Sequence, residues 1–190
     1  MDHPLIHYLR GFRKIPEEDQ AILENAFEKK VFKEGDYLLY PGHISKELFF
    51  ICTGVLRIVV LNEKGVEVTY FFLKEQQFCT ILNSFNKEVI AEEGIQAATD
   101  AEVLAIKKHA LLNVYKQLPY LKTLIDHIHQ ERLLEKIQIR NAYLGHDSAA
   151  RYQLFLERQS EIASRVSMVD IASYLGITPQ SLSRIRRNLR

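Results

Sequence analysis

Cysteine is scarce in this 190-residue chain: there are two, Cys52 and Cys79, alongside five prolines and no tryptophan. Both lie in apolar, strand-like runs without a C-x-x-C spacing, so a disulfide framework is excluded. An iron–sulfur cluster, which needs about four thiolates, is excluded within one subunit. Buried reduced thiols are expected, with a redox pair as the alternative. No run of about 18 apolar residues occurs, and Met1-Asp2-His3-Pro4 lacks the basic, then apolar order of a secretory signal. A cytoplasmic protein without membrane contact is therefore expected. Repeats and low-complexity tracts are also missing. The strand-like runs carry no H-x-H spacing of the kind a metal enzyme on a cupin-like barrel requires. The one such pair, His127 and His129, falls in a helical stretch and is read as surface histidine rather than haem ligation, and His43 as a solvated loop residue. No catalysis, metal or cofactor is expected.

Charge is nearly balanced, at +1 overall, but unevenly placed. From Ser148 to Arg190 seven arginines face three acids (Glu157, Glu161 and Asp170), a balance of +4, which leaves −3 for the preceding part. A basic end on a mildly acidic body suits a nucleic-acid-contacting module joined to one that makes no such contact.

The hydrophobic period divides the chain. Pro16 to Phe27 reads as a helix, with Glu17, Glu18 and Asp19 at its positive end and Ile22, Leu23 and Phe27 on an inner face. Short β-prone runs follow: Val31-Phe32, Tyr37 to Tyr40, Leu48 to Ile51, Val55 to Leu61, Val66 to Leu73, Gln77 to Leu82, Ile95 to Ala98 and Glu102 to Ile106. They are punctuated by Gly35-Asp36, Pro41-Gly42, Thr53-Gly54 and Asn62 to Gly65. Such spacing predicts a compact antiparallel barrel or sandwich. Helical period returns near His109, and Pro119 to Leu144 runs without glycine or proline. Its stripe of Leu121, Leu124, Ile125 and Ile128 is expected to meet a second copy of the same helix, because some 25 residues, about 38 Å, exceed what a small barrel covers. Packing on its own domain is the alternative. The stripe drifts around Glu131 to Glu135, which speaks against a long regular heptad seam. After Gly145-His146-Asp147, a hinge, Ser148 to Arg158 forms a helix with Tyr152, Phe155 and Leu156 as apolar members. Three regions result: residues 1–117 as a sensor barrel, 118–145 as a dimerisation helix and hinge, and 146–190 as a helical DNA-binding module.

Met168 to Arg187 carries the most information. Ser167 and Asp170 resemble a capping box opening a helix with Ile171 and Leu175 inward, and Ala172 leaves room for a crossing helix. Gly176 permits a left-handed stop, Thr178 caps the next helix and Pro179 fits its first turn. Leu182, Ile185 and Leu189 are then expected inside. The opposite face presents Gln180, Ser183, Arg184 and Arg187, flanked by Ser181 and Asn188. Glutamine suits adenine, arginine suits guanine, and hydroxyls with the spare arginines suit phosphates. This is a helix-turn-helix expected to enter the major groove of double-stranded DNA.

Over nearly its whole length the chain resembles the cyclic-AMP receptor protein and fumarate-nitrate regulator (CRP/FNR) superfamily. Val31 to Asp36, Pro41-Gly42, Leu48 to Ile51 and Gly54 to Arg57 resemble the opening of its cyclic-nucleotide-binding β-roll. Ala150-Arg151-Tyr152 and Asp170 to Arg186 resemble the DNA-binding end of its Bacteroidetes-type members. The resemblance implies an α+β fold: an N-terminal antiparallel β-roll (a double-stranded β-helix) with flanking helices, a long dimerisation helix and a C-terminal helix-turn-helix domain. It places Pro179, Gln180 and Arg184 at base-contacting positions and implies a homodimer, RNA polymerase as a further partner, and a small-molecule effector. The Gly-Glu pair and the arginine with which such rolls hold cyclic nucleotides are replaced by Cys79-Thr80 and by Ala91-Glu92-Glu93-Gly94, so cyclic AMP and cyclic GMP are not expected to bind. The candidate effector site comprises Phe71, Phe78, Cys79, Thr80 and Glu92, but plain barrel core is the favoured role for Phe71, Phe72, Phe78 and Phe85. A roll that is scaffold only, in a ligand-independent regulator, is the alternative.

Overall fold

The computed structural model describes residues 3–189. Two helices, α1 (Pro4–Arg10) and α2 (Glu17–Ala26), precede eight strands: β1 (Glu28–Phe32), β2 (Tyr37–Leu39), β3 (Glu47–Thr53), β4 (Leu56–Leu61), β5 (Glu67–Leu73), β6 (Phe78–Cys79), β7 (Glu93–Ala97) and β8 (Ala101–Lys107). A short α3 (Leu82–Lys87) interrupts them after β6. The strands form two four-stranded antiparallel sheets, in the orders β1-β8-β3-β6 and β2-β7-β4-β5. Alternate residues of both sheets, among them Phe49, Ile51, Leu56, Ile95 and Val103, fill the space between them. At the β3–β4 turn Gly54 has φ +95°, and a Cβ there would lie 2.4 Å from the Asp100 carbonyl oxygen, so the close approach of the two sheets requires glycine.

The run Gln77 to Leu82 is not one strand. Pairing ends at Cys79, the Thr80 hydroxyl donates to the Glu47 carbonyl, and α3 then turns Phe85 into the core. The other strand runs and the helix after Pro16 are where the sequence places them; Asp19 there accepts a hydrogen bond from the Tyr120 hydroxyl.

Beyond the roll come α4 (Lys108–Gln117) and the 25-residue α5 (Pro119–Tyr143). The stripe assigned to a partner is covered by its own chain: Leu121, Ile125 and Ile128 are 0%, 2% and 2% exposed, and Leu124 packs partly against the same cluster. The cause is α1, which the sequence analysis missed. Pro4 starts it, and Leu5, Ile6 and Leu9 fill the gap between α5 and the β1-β8-β3-β6 sheet. What α5 leaves exposed lies further along. Leu133, Leu134 and Ile137 are exposed there; Leu134 and Ile137 share a face with Gln130 and Asn141 at steps of three and four residues, while Leu144, also exposed, lies past the helix end in extended backbone.

The candidate effector residues do not converge on a common cavity. Phe78 is core, against Phe50 and Tyr8; Cys79 lies between the sheets; Thr80 is bonded to Ser45 and Glu47; Glu92 is exposed; and Phe71 faces the far side, towards α5. Burial raises the Cys79 thiol to about 12 and the half-buried Cys52 thiol to about 11, so both are protonated near neutrality. His129 is not a surface residue: its ring meets the edge of Phe78, and burial holds its pKa below the usual value.

Candidate nucleic-acid interface

Gly145, with φ +79°, ends the α5 segment, and Asp147 caps α6 (Ser148–Arg158) by accepting the Ala150 N–H at 2.9 Å. After the four-residue α7 (Ser160–Ala163) come the two helices of interest, α8 (Met168–Leu175) and α9 (Pro179–Asn188). Ser167 accepts the Asp170 N–H and donates its own hydroxyl to the Asp170 carboxylate at 2.8 Å. Gly176 takes the left-handed conformation (φ 67°, ψ 37°), and the Ile177 N–H returns to the Ala172 carbonyl, closing α8. Thr178 then caps α9 by accepting the Ser181 N–H at 3.1 Å.

These caps fix the crossing of α8 and α9, and the apolar residues beneath hold it. Ala172 and Leu182 are both wholly buried, and Ile171 and Leu175 nearly so, with Ile185 packed against them. Leu189 departs from the expected inner stripe and is 45% exposed, since it lies beyond the last helical turn. Leu156 on α6 likewise points outwards, while Tyr152 and Phe155 are core. On the far face of α9, Gln180, Ser183, Arg184 and Arg187 are all exposed, and the helix carries no acid. Thr178 and Ser181 are tied to each other through their hydroxyls at 2.9 Å, which places them at the start of the helix.

The sequence analysis did not anticipate how this module is seated. It docks on β4 and β5 of its own roll, where Val55, Phe72 and Ala98 join Tyr152, Phe155, Ile162 and Leu175 in one cluster. The Thr69 N–H donates to Ser173 Oγ at 2.9 Å. Arg57 Nη1 lies 2.5 Å from Asp170 Oδ1, both side chains being almost fully buried, and Arg57 also reaches Gln96, Thr69 and Glu67. Glu75 receives two bonds from Arg165 and one from the Gly54 N–H. Burial alone would raise its pKa, but these bonds together hold it below the usual carboxylate value. Lys74 pairs with Glu161 beside them. No local pattern marks such pairs, because each partner sits far along the chain from the other. Asp170 was legible as a cap, but its second oxygen serves Arg57.

Among the described residues no group of three histidine, cysteine or carboxylate side chains is placed to hold a metal ion, and no helix is long and apolar enough to cross a membrane.

Residues 29–118 match the family described as the cyclic nucleotide-binding domain. No curated protein sequence matches the chain. Among solved structures it is similar to the c-di-GMP-responsive global regulator CLP of Xanthomonas campestris, at 14% identity, TM-score 0.72, and coverage of 92% of this chain and 91% of that one. It is also similar to a CooA mutant from Carboxydothermus hydrogenoformans, at 17% identity and TM-score 0.70 over 99% of this chain and 84% of that one. A crp/fnr-family protein of Eubacterium rectale is 16% identical, with TM-score 0.71 over 96% and 87%. Residues 29–118 thus resemble the cyclic nucleotide-binding domain, and over nearly all its length the chain has the fold of the CRP/FNR structures to which it is similar.

Proposed function

We propose that this chain is a sequence-specific DNA-binding transcription regulator that works as a homodimer in the cytoplasm, with RNA polymerase as its further partner. One observation carries the proposal: the outer face of α9 exposes Gln180, Ser183, Arg184 and Arg187 on a rigidly capped, acid-free helix. Such a helix fits the major groove, with Gln180 and Arg184 towards base edges, and Arg187 and Thr178 towards phosphates. Replacing Arg184 by alanine is expected to remove about 1–3 kcal/mol of discrimination at one base pair. Fluorescence anisotropy on a duplex selected from a random pool checks this; equal affinity of variant and parent for that duplex refutes the assignment.

Dimerisation is assigned to the outward face of α5, where Leu134 and Ile137 would meet their counterparts and Asn141 would fix the register. An Ile137→Glu substitution should weaken self-association at least tenfold, a change of about 1.4 kcal/mol, while Leu124→Glu should act mainly on stability. Sedimentation equilibrium separates the two, and a parent chain that stays monomeric at micromolar concentration rules that face out. Cyclic nucleotides are not the proposed effectors: Ala91 is packed among core residues where a phosphate-binding arginine would be needed, and Glu92 and Glu93 add negative charge beside it.

A further inference from the structure

A cleft of about 240 Å³ opens where the roll, the long helix and the DNA-binding module meet, between β5, the second half of α5, α6–α7 and Tyr174 of α8. Its walls are aromatic on two sides, with Phe71 and Phe72 from the roll and Tyr174 from α8. Four cations line it: Lys74, Arg132, Lys136 and Arg158. Two are neutralised on the spot, Lys74 by Glu161 and Arg132 by Glu135 at 2.7 Å. Lys136 and Arg158 are not paired; among the described residues no carboxylate lies within 4.0 Å of either. Lys136 reaches inwards, its ammonium 5.2 Å from the centre of the Phe71 ring, while Arg158 is exposed at the rim. Burial holds the Lys136 pKa below its usual value, against the opposing pull of the Glu135 carboxylate.

We infer that this cleft binds a small dianion with an apolar body, an organic phosphate monoester or an aromatic dicarboxylate, gripped by Lys136 and Arg158 with its ring against Phe71 and Tyr174. A volume of about 240 Å³ suits one small metabolite. No lining residue comes from α9, so the site is separate from the face assigned to DNA. An anion here also competes with Glu161 for Lys74, and the Lys74–Glu161 pair is one of the ties that seat the module on the roll. Occupancy therefore shifts the balance between seated and released module. That coupling to DNA rests on the regulator proposal; binding in the cleft does not.

The test is isothermal titration calorimetry of the whole chain, without DNA, against phenyl phosphate and, separately, phthalate. Ionic strength is held near 0.15 M, where long-range attraction is screened beyond about 8 Å. Saturable binding of at least one of them, one per chain and with Kd of about 1 mM or tighter, is expected. Lys136→Met and Arg158→Gln should each weaken it at least tenfold, whereas Lys136→Arg should largely restore it. Lys136→Met removes an unpaired charge, so its melting temperature should equal or exceed that of the parent, which separates lost binding from lost folding. Tighter binding of phenyl phosphate marks the ligand as a phosphate, and tighter binding of phthalate as a dicarboxylate. No saturable heat with either up to about 10 mM, or equal affinity in parent and both neutral variants, overturns the inference. A DNA-anisotropy arm run on the same samples reports on the regulator proposal alone: cleft binding without DNA binding would leave the site standing and remove its assigned purpose.

Discussion

Replacing Phe155 by alanine is expected to lower the unfolding free energy by about 3–5 kcal/mol, through lost transfer energy and the cavity left behind. Phe155 is wholly buried, its ring centre is 5.5 Å from that of Tyr174 and 6.4 Å from that of Phe72, and it therefore ties the C-terminal helical module to the roll on which that module sits. The loss is a large share of the 5–15 kcal/mol that usually holds a domain together. For a urea slope of about 2 kcal/mol per molar, the midpoint should fall by about 2 M. Leu156→Ala, one position along on the exposed side of α6, should move it by less than a quarter of that. A Phe155 variant that melts with the parent would show that the module does not rest on this residue.

The contrast between these neighbours shows what a sequence can and cannot disclose. The helix of Ser148 to Arg158 is legible from its period, but Phe155 and Leu156 are one residue apart and both apolar. Which of them is buried depends on where β5 lies, and β5 is contributed by a distant segment. The α8–α9 crossing is different: Ser167, Gly176, Thr178 and Pro179 act on backbone groups within a few residues of themselves, so the whole local geometry follows from their order. The four exposed side chains on the outer face of α9 were legible for the same reason. The stripe of α5 failed because its cover, α1, lies at the other end of the chain. With Leu121, Ile125 and Ile128 taken by α1, α4 and the roll, Leu134 and Ile137 are left on one outward face, which is obscured when both sets are read together.

The seating of the module also bears on how an effector would act. Among the described residues three ion pairs cross from roll to module (Arg57 to Asp170, Glu75 to Arg165, and Lys74 to Glu161), and they differ in depth. Glu161 is two-thirds exposed, so its pair with Lys74 contributes little to stability and is easily exchanged for another anion. The pair at Arg57 is 12% and 13% exposed on its two sides and resists exchange. A ligand that loosens the first and leaves the second would tilt the module about the Arg57 contact without releasing it.

Arg57→Met should therefore release what the outer pairs do not. It leaves the Asp170 carboxylate almost fully buried, with only the Ser167 hydroxyl and the helix N-terminus for support, at a cost of about 3 kcal/mol. That cost falls on the roll–module contact, so the module should open about a hundredfold more often, and limited proteolysis at Gly145-His146-Asp147 should quicken by a similar factor while cleavage tracks the open population. Asp170→Asn alone should cost less, because Arg57 keeps Glu67, Gln96 and Thr69. In a double-mutant cycle the two changes should couple by about 1–3 kcal/mol; simple additivity would mean that the pair does not hold the module. DNA supplies the second readout. In the proposed dimer two seated modules would hold both copies of α9 at a fixed separation, and binding to a duplex with paired half-sites would gain from that preorganisation. Arg57→Met should therefore weaken binding to the paired duplex at least tenfold and leave a single half-site nearly unaffected, and equal losses on both would place Arg57 in folding alone.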